Sequence, residues 1–165
     1  MASRIAPPRP SSTLAIGAVI GTLDALFAIL VNVVVLHVCT TAQLFQYIAS
    51  GVLGRASFAG GASTVALGFA LHFTIAYAWT TLFVVACGLS PALRDLIART
   101  RGAIIAGLPY GASIWLVMDL IVLPLAHVRP TPVASSVFLI MLVWHAAGLG
   151  VPLALLVRRA ARLRA

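Results

Sequence analysis

Apolar residues run almost unbroken through four stretches, 13–38, 58–87, 102–126 and 133–157, and polar and charged positions gather between them. Each stretch has about 25 residues or more, which at 1.5 Å per residue is roughly 37 Å of helix. That is enough to cross a hydrocarbon core of roughly 30 Å with some tilt. The runs lack the alternation of barrel strands, and only helices or closed barrels satisfy their own backbone groups in lipid. The pattern predicts an all-α integral membrane protein: a transmembrane bundle of four helices in one domain, 13–157.

The segments between the runs add shorter elements. Residues 1–12, with Pro7, Pro8 and Pro10, are expected to form a disordered leader, with Ser11, Ser12 or Thr13 capping the first helix. The first run is far longer than a signal-peptide core, so it is kept as a helix. In 41–54, Leu44, Tyr47, Ile48 and Val52 recur at helical spacing, with Gln43, Gln46 and Ser50 off that face. This predicts an amphipathic helix on the outer membrane surface. Ser90-Pro91 reads as a cap followed by proline at the first helical position. Leu93, Leu96 and Ile97 then lie opposite Arg94, Asp95 and Arg99, a second short helix in which Asp95 should meet Arg99.

Composition changes the picture in one respect. The chain is 62% hydrophobic and 8% charged, with a net charge of +8 carried by arginine alone. In a soluble domain that charge would suggest nucleic acid, but here the arginines sit outside the apolar runs and set topology. Nucleic-acid binding is therefore not expected. Arg4, Arg9, Arg94, Arg99, Arg101, Arg158, Arg159, Arg162 and Arg164 fall on one side of the four crossings, Arg55 and Arg129 on the other. The positive-inside rule puts both termini in the cytoplasm. The tail, 158–165, places Arg158, Arg159, Arg162 and Arg164 where anionic lipid would gather. Cys39 and Cys87 end helices on opposite sides, so they cannot pair within a molecule, and no zinc spacing is present.

Candidate chemistry lies inside the runs. Asp24 sits near the middle of the first, where a carboxylate costs roughly 2.5–3.5 kcal/mol and needs company. Segment midpoints put Asp24, His72 and His145 at one depth, with Asp119 and Asn32 in a second polar layer nearer the outside. Carboxylates and imidazoles in contact suit a proton relay or the coordinating site of a small permease. The competing reading is that they only hydrogen-bond helix to helix. Gly17, Gly21, Gly61, Gly68, Gly107 and Gly111 form small-residue faces that let helices, or a second copy of the chain, come close. Pro109 and Pro152 should kink their helices at matching depth and open a vestibule between the third and fourth. Haem held by His72 and His145 is disfavoured for lack of room, no other cofactor is indicated, and no enzyme motif occurs. The first two runs beside the last two repeat a G-x-x-x-G, an aspartate and a mid-depth histidine, as in parallel-repeat transporters.

The run from Ile48 to Gly61, followed by Ala70-Leu71-His72-Phe73, and the G-x-x-x-G-T-L-D that opens the first helix resemble a group of small bacterial membrane proteins with four predicted helices. The resemblance extends over most of the chain. It implies the fold and an inner-membrane location, and brings no established activity or site residue. The expected function is small-solute or proton and ion handling through Asp24, His72 and His145. The alternative is a structural or accessory membrane protein associating through its glycine faces.

Overall fold

The computed structural model describes residues 8–163, so the start of the leader and Arg164 lie outside the described residues. Among those described there are helices and loops and no strand. The elements are α1 (Pro10–Val35), α2 (Thr41–Leu53), α3 (Gly61–Leu89), α4 (Pro91–Ile97), α5 (Thr100–Leu125) and α6 (Ser136–Arg162). Of these α1, α3, α5 and α6 are long and apolar enough to cross a membrane.

Local chemistry sets the ends. α1 begins at Pro10, ahead of the expected start at residue 13, because proline's missing N–H costs nothing at a first helical position. Thr40 and Gln43 close a reciprocal capping box at the start of α2: each side chain accepts from the other's backbone N–H, at 3.2 and 2.9 Å. Ser90 caps α4 and Ser135 caps α6 through the N–H groups of Leu93 and Phe138. α4 stops at Ile97, and Arg99 takes extended backbone as the cap of α5. That break separates Asp95 from Arg99, and the expected pair does not form. Arg158, Arg159 and Arg162 are not a separate tail but the last turns of α6. Arg158 and Arg162 donate to the carbonyl of Ala98 at 3.2 and 2.9 Å, fastening the end of α6 to the α4–α5 joint.

Two helix pairs build the bundle. On α1, Gly17 faces the Tyr77 ring and Gly21 the Phe73 ring of α3. Between α5 and α6 the approach is closer: a Cβ on Gly107, Gly111 or Gly150 would collide with backbone of the opposite helix, including the carbonyls of Gly150, His145 and Gly107. Gly68 gives the same clearance to the Phe45 carbonyl of α2. These glycine faces are thus occupied within the chain, and a second copy would have to use another surface. Gly61 is not a packing residue. It starts α3 at φ +58 with nothing near its missing Cβ, so its role is conformational. The pairs meet around Ile16, Ile20, Phe83, Leu153 and Val157, and Tyr110 ties α5 to α3 by donating to the Trp79 carbonyl at 2.6 Å.

The prolines act differently from expectation. α5 passes through Pro109 as regular α-helix, whereas wide π turns occupy Leu30–Val35, Met118–Val122 and Trp144–Gly150. The last two immediately precede Pro124 and Pro152, whose missing N–H and bulky ring disrupt the α-type ladder behind them. No vestibule opens between α5 and α6 at the glycine contact, since their backbones touch there. Helix α2 is also turned from its expected facing. Phe45, Gln46, Ala49 and Ser50 are buried, with the Gln46 amide donating to Thr64 Oγ1 at 3.3 Å and to the Gly61 carbonyl at 3.4 Å. Partners on the first turn of α3 hold the polar side of α2 inward.

The glycine contact yields a stability prediction. Gly111→Val should lower resistance to denaturation in detergent by about 1–3 kcal/mol or more through overpacking. Gly88→Ala, in open space on α3, should be neutral or stabilising by about 0.5–1 kcal/mol. Chemical unfolding followed by circular dichroism checks both, and equal effects would refute the contact.

Candidate functional site

His145 lies on the π turn of α6 and is largely buried. Its Nδ1 is 2.7 Å from the Met141 carbonyl, which can only accept, so that nitrogen carries a proton. Nε2 of the neutral ring is then an acceptor, and it stands 3.6 Å from Oδ1 of Asp24 on α1. A proton added to the pair has two places to rest, the Asp24 carboxyl or His145 Nε2. The side chains keep 10% and 28% of their exposure for His145 and Asp24, so the acid is the more accessible member. Packing fixes both. The Trp115 ring lies 5.0 Å from the imidazole, and Phe27 of α1 stacks on Trp144 of α6 at 3.9 Å.

The remaining expected residues find backbone partners. His72 Nε2 is 2.8 Å from the Gly21 carbonyl, one turn from Asp24, and must donate there. It ties α3 to α1 and makes no ion pair with Asp24. Asp119 retains 1% exposure, and both its oxygens accept from the Thr131 N–H, at 3.1 and 3.2 Å. Asn32 donates to the Ala28 carbonyl at 2.9 Å. Asn32 and Asp119 thus share a region without bonding each other, and the relay expected among Asp24, His72 and His145 reduces to one close pair.

All five residues line a single cavity of about 730 Å³. It lies among the four long helices, and Leu44, Tyr47, Ile48 and Val52 of α2 form part of its wall. The apolar stripe of α2 therefore faces this space. Tyr47 donates to the Arg129 carbonyl at 3.2 Å, and burial, then the Asp119 carboxylate, raise its phenol above the ordinary range. Each of the three π turns carries one polar group to the cavity: Asn32, Asp119 and His145. Such turns are rare and concentrate at functional sites.

Sequence reasoning missed Trp115, Thr131 and Tyr47 as parts of the site. Trp115 was legible, being four residues before Asp119 on one helical face. Thr131 contributes only a backbone N–H from a loop, which no side-chain pattern announces. Among the described residues no group of three or more His, Cys, Asp or Glu side chains could hold a metal ion. For haem, His72 and His145 would each have only the nitrogen not bonded to backbone, and that of His145 faces Asp24.

Comparison with known families, curated proteins and solved structures finds no match to this chain. The pair itself can be measured. A double-mutant cycle of Asp24→Asn and His145→Gln on unfolding in detergent should give a coupling of about 1 kcal/mol or more. Additivity within about 0.3 kcal/mol would show that the two side chains do not interact.

Proposed function

We propose that this chain is a multi-pass protein of the bacterial inner membrane, with both termini cytoplasmic, that handles protons and a small solute through the Asp24–His145 pair. The location rests on the arginine distribution and on four helices of spanning length and composition. Anionic lipid headgroups are the expected neighbours of Arg159 and of the guanidinium faces that Arg158 and Arg162 leave free.

The observation that carries the function is the Asp24 carboxyl 3.6 Å from His145 Nε2, the ring nitrogen not bonded to backbone, at the wall of a cavity. An intramembrane acid costs stability and belongs to functional sites by default. Here the two members sit on different helix pairs, the arrangement of transporters whose repeats meet at the binding site. Asp24 takes a proton from the cavity and His145 Nε2 receives it, so the pair can be loaded or emptied by one proton while the cavity holds a solute. His72 holds α3 against α1 through the Gly21 carbonyl, while Asn32 bonds back to its own helix.

Reconstitution tests this reading. Wild-type protein in liposomes with an internal pH-sensitive dye should dissipate an imposed pH gradient, and Asp24→Asn should slow that dissipation tenfold or more with helix content unchanged. Unchanged proton movement in Asp24→Asn, with loss of assembly, would instead assign the pair a structural role in an accessory protein.

A further inference from the structure

The cavity has a second feature that the proton pair does not use. Asp119 is almost fully buried, yet both its oxygens converge on the single N–H of Thr131. A carboxylate offers about four lone-pair positions, so most of its accepting capacity is open. No arginine side chain lies within 4.0 Å of it among the described residues, and the chain contains no lysine. Buried charge is kept where a partner compensates it.

Two further buried polar atoms, on residues that line the cavity, are unpartnered. Thr80 Oγ1 belongs to a fully buried residue, and the Trp115 Nε1–H, one turn from Asp119, also has no acceptor. Both residues line the cavity. Buried polar groups nearly always have partners, so these two orphans leave the region beside the cavity short of hydrogen-bond acceptors. The rest of the wall is largely apolar, with Leu44 and Ile48 from α2 and the adaptable Met118 and Met141 from α5 and α6. A volume of about 730 Å³ suits one drug-sized molecule.

We infer that the cavity binds a lipophilic organic cation, with its charged centre between the Asp119 carboxylate and the Trp115 ring and its apolar body against Leu44, Ile48 and Met118. An ammonium beside a carboxylate and an indole gains ion pairing and cation–π attraction in a largely apolar site. A lipophilic anion of the same size meets two carboxylates and no fixed cation. This names the solute served by the Asp24–His145 pair and so rests on the proposed function.

The probes are tetraphenylphosphonium and tetraphenylborate, alike in shape and opposite in charge, titrated calorimetrically into the full-length protein in detergent. Saturable binding of the phosphonium alone is expected. Asp119→Asn keeps an acceptor for Thr131 and should weaken that binding tenfold or more. Ile48→Trp, which fills the cavity from α2 without touching the carboxylate, should weaken it similarly and decides the matter if Asp119→Asn does not fold. Equal binding of the borate, or wild-type phosphonium affinity in Asp119→Asn and Ile48→Trp, would overturn the cation site. No phosphonium binding in a protein whose proton movement requires Asp24 would overturn the cation site alone. Phosphonium binding that needs Asp119, in a protein whose Asp24→Asn variant moves protons normally, would support the cation site and overturn the proton reading.

Discussion

The contact on which the site depends is the backbone approach of α5 and α6 at Gly107, Gly111 and Gly150. Helices of membrane-spanning length and composition, placed in lipid, would gain little from hydrophobic association, which leaves adhesion to close van der Waals packing. Removing three side chains lets the helix backbones touch, and Gly111 comes to lie against the carbonyl of His145. That contact fixes how far the imidazole stands from α5, and therefore its place beside Trp115 and its reach toward Asp24. A Cβ at this point would move a catalogue of dependent contacts, not only one helix.

A second constraint is that polar groups buried in an apolar bundle need a hydrogen-bond partner. Regular α-helix occupies its own carbonyls, so a polar side chain must find a partner across the bundle or bend back to its own helix. Asn32 bends back to Ala28, His145 to Met141, and His72 crosses to Gly21. The π turns at Asn32, Asp119 and His145 change the phase of their helices, so the side chains that follow face differently than an unbroken 3.6-residue period would place them. Two of the three are explained by the prolines behind them, Pro124 and Pro152. For Leu30–Val35, which no proline follows, we have no physical account.

These wide turns also mark the limit of what the sequence discloses. The long helices were legible because hydropathy contrast is large and independent of neighbours, and depth along a helix follows from counting residues. Thus Asp24 and His145 were placed at one level. Facing was not legible, because it depends on where a helix widens and on which partners exist across the gap. Asp119 found a loop N–H and not Asn32, and α2 turned its polar side inward because Thr64 and the Gly61 carbonyl were there to receive Gln46. Pro109 and Pro152 look alike in sequence, yet only the second has a wide turn behind it. Gly61 shares the residue type of the packing glycines, but its positive φ is a backbone property that spacing does not reveal.

The two halves share further features besides the G-x-x-x-G, aspartate and mid-depth histidine. Gly17, Gly21 and His37 recur with unchanged spacing as Gly107, Gly111 and His127, and both histidines end their helices in the left-handed region, at φ 53 and 57. Each half also packs its glycine face against the following long helix, on Tyr77 and Phe73 in the first and on Gly150 and His145 in the second. What breaks the likeness is α2, which has no counterpart between α5 and α6. It walls the cavity on one side only. The acids differ as well: Asp24 of the first half reaches His145 of the second, while Asp119 turns to a loop of its own half. The Asp24–His145 contact spans the two halves, as do the Tyr110–Trp79 hydrogen bond and the Phe27–Trp144 stack, whereas each glycine interface lies within one half. The pair is thus a joint between the halves, and α2 walls the cavity beside it from the first half alone.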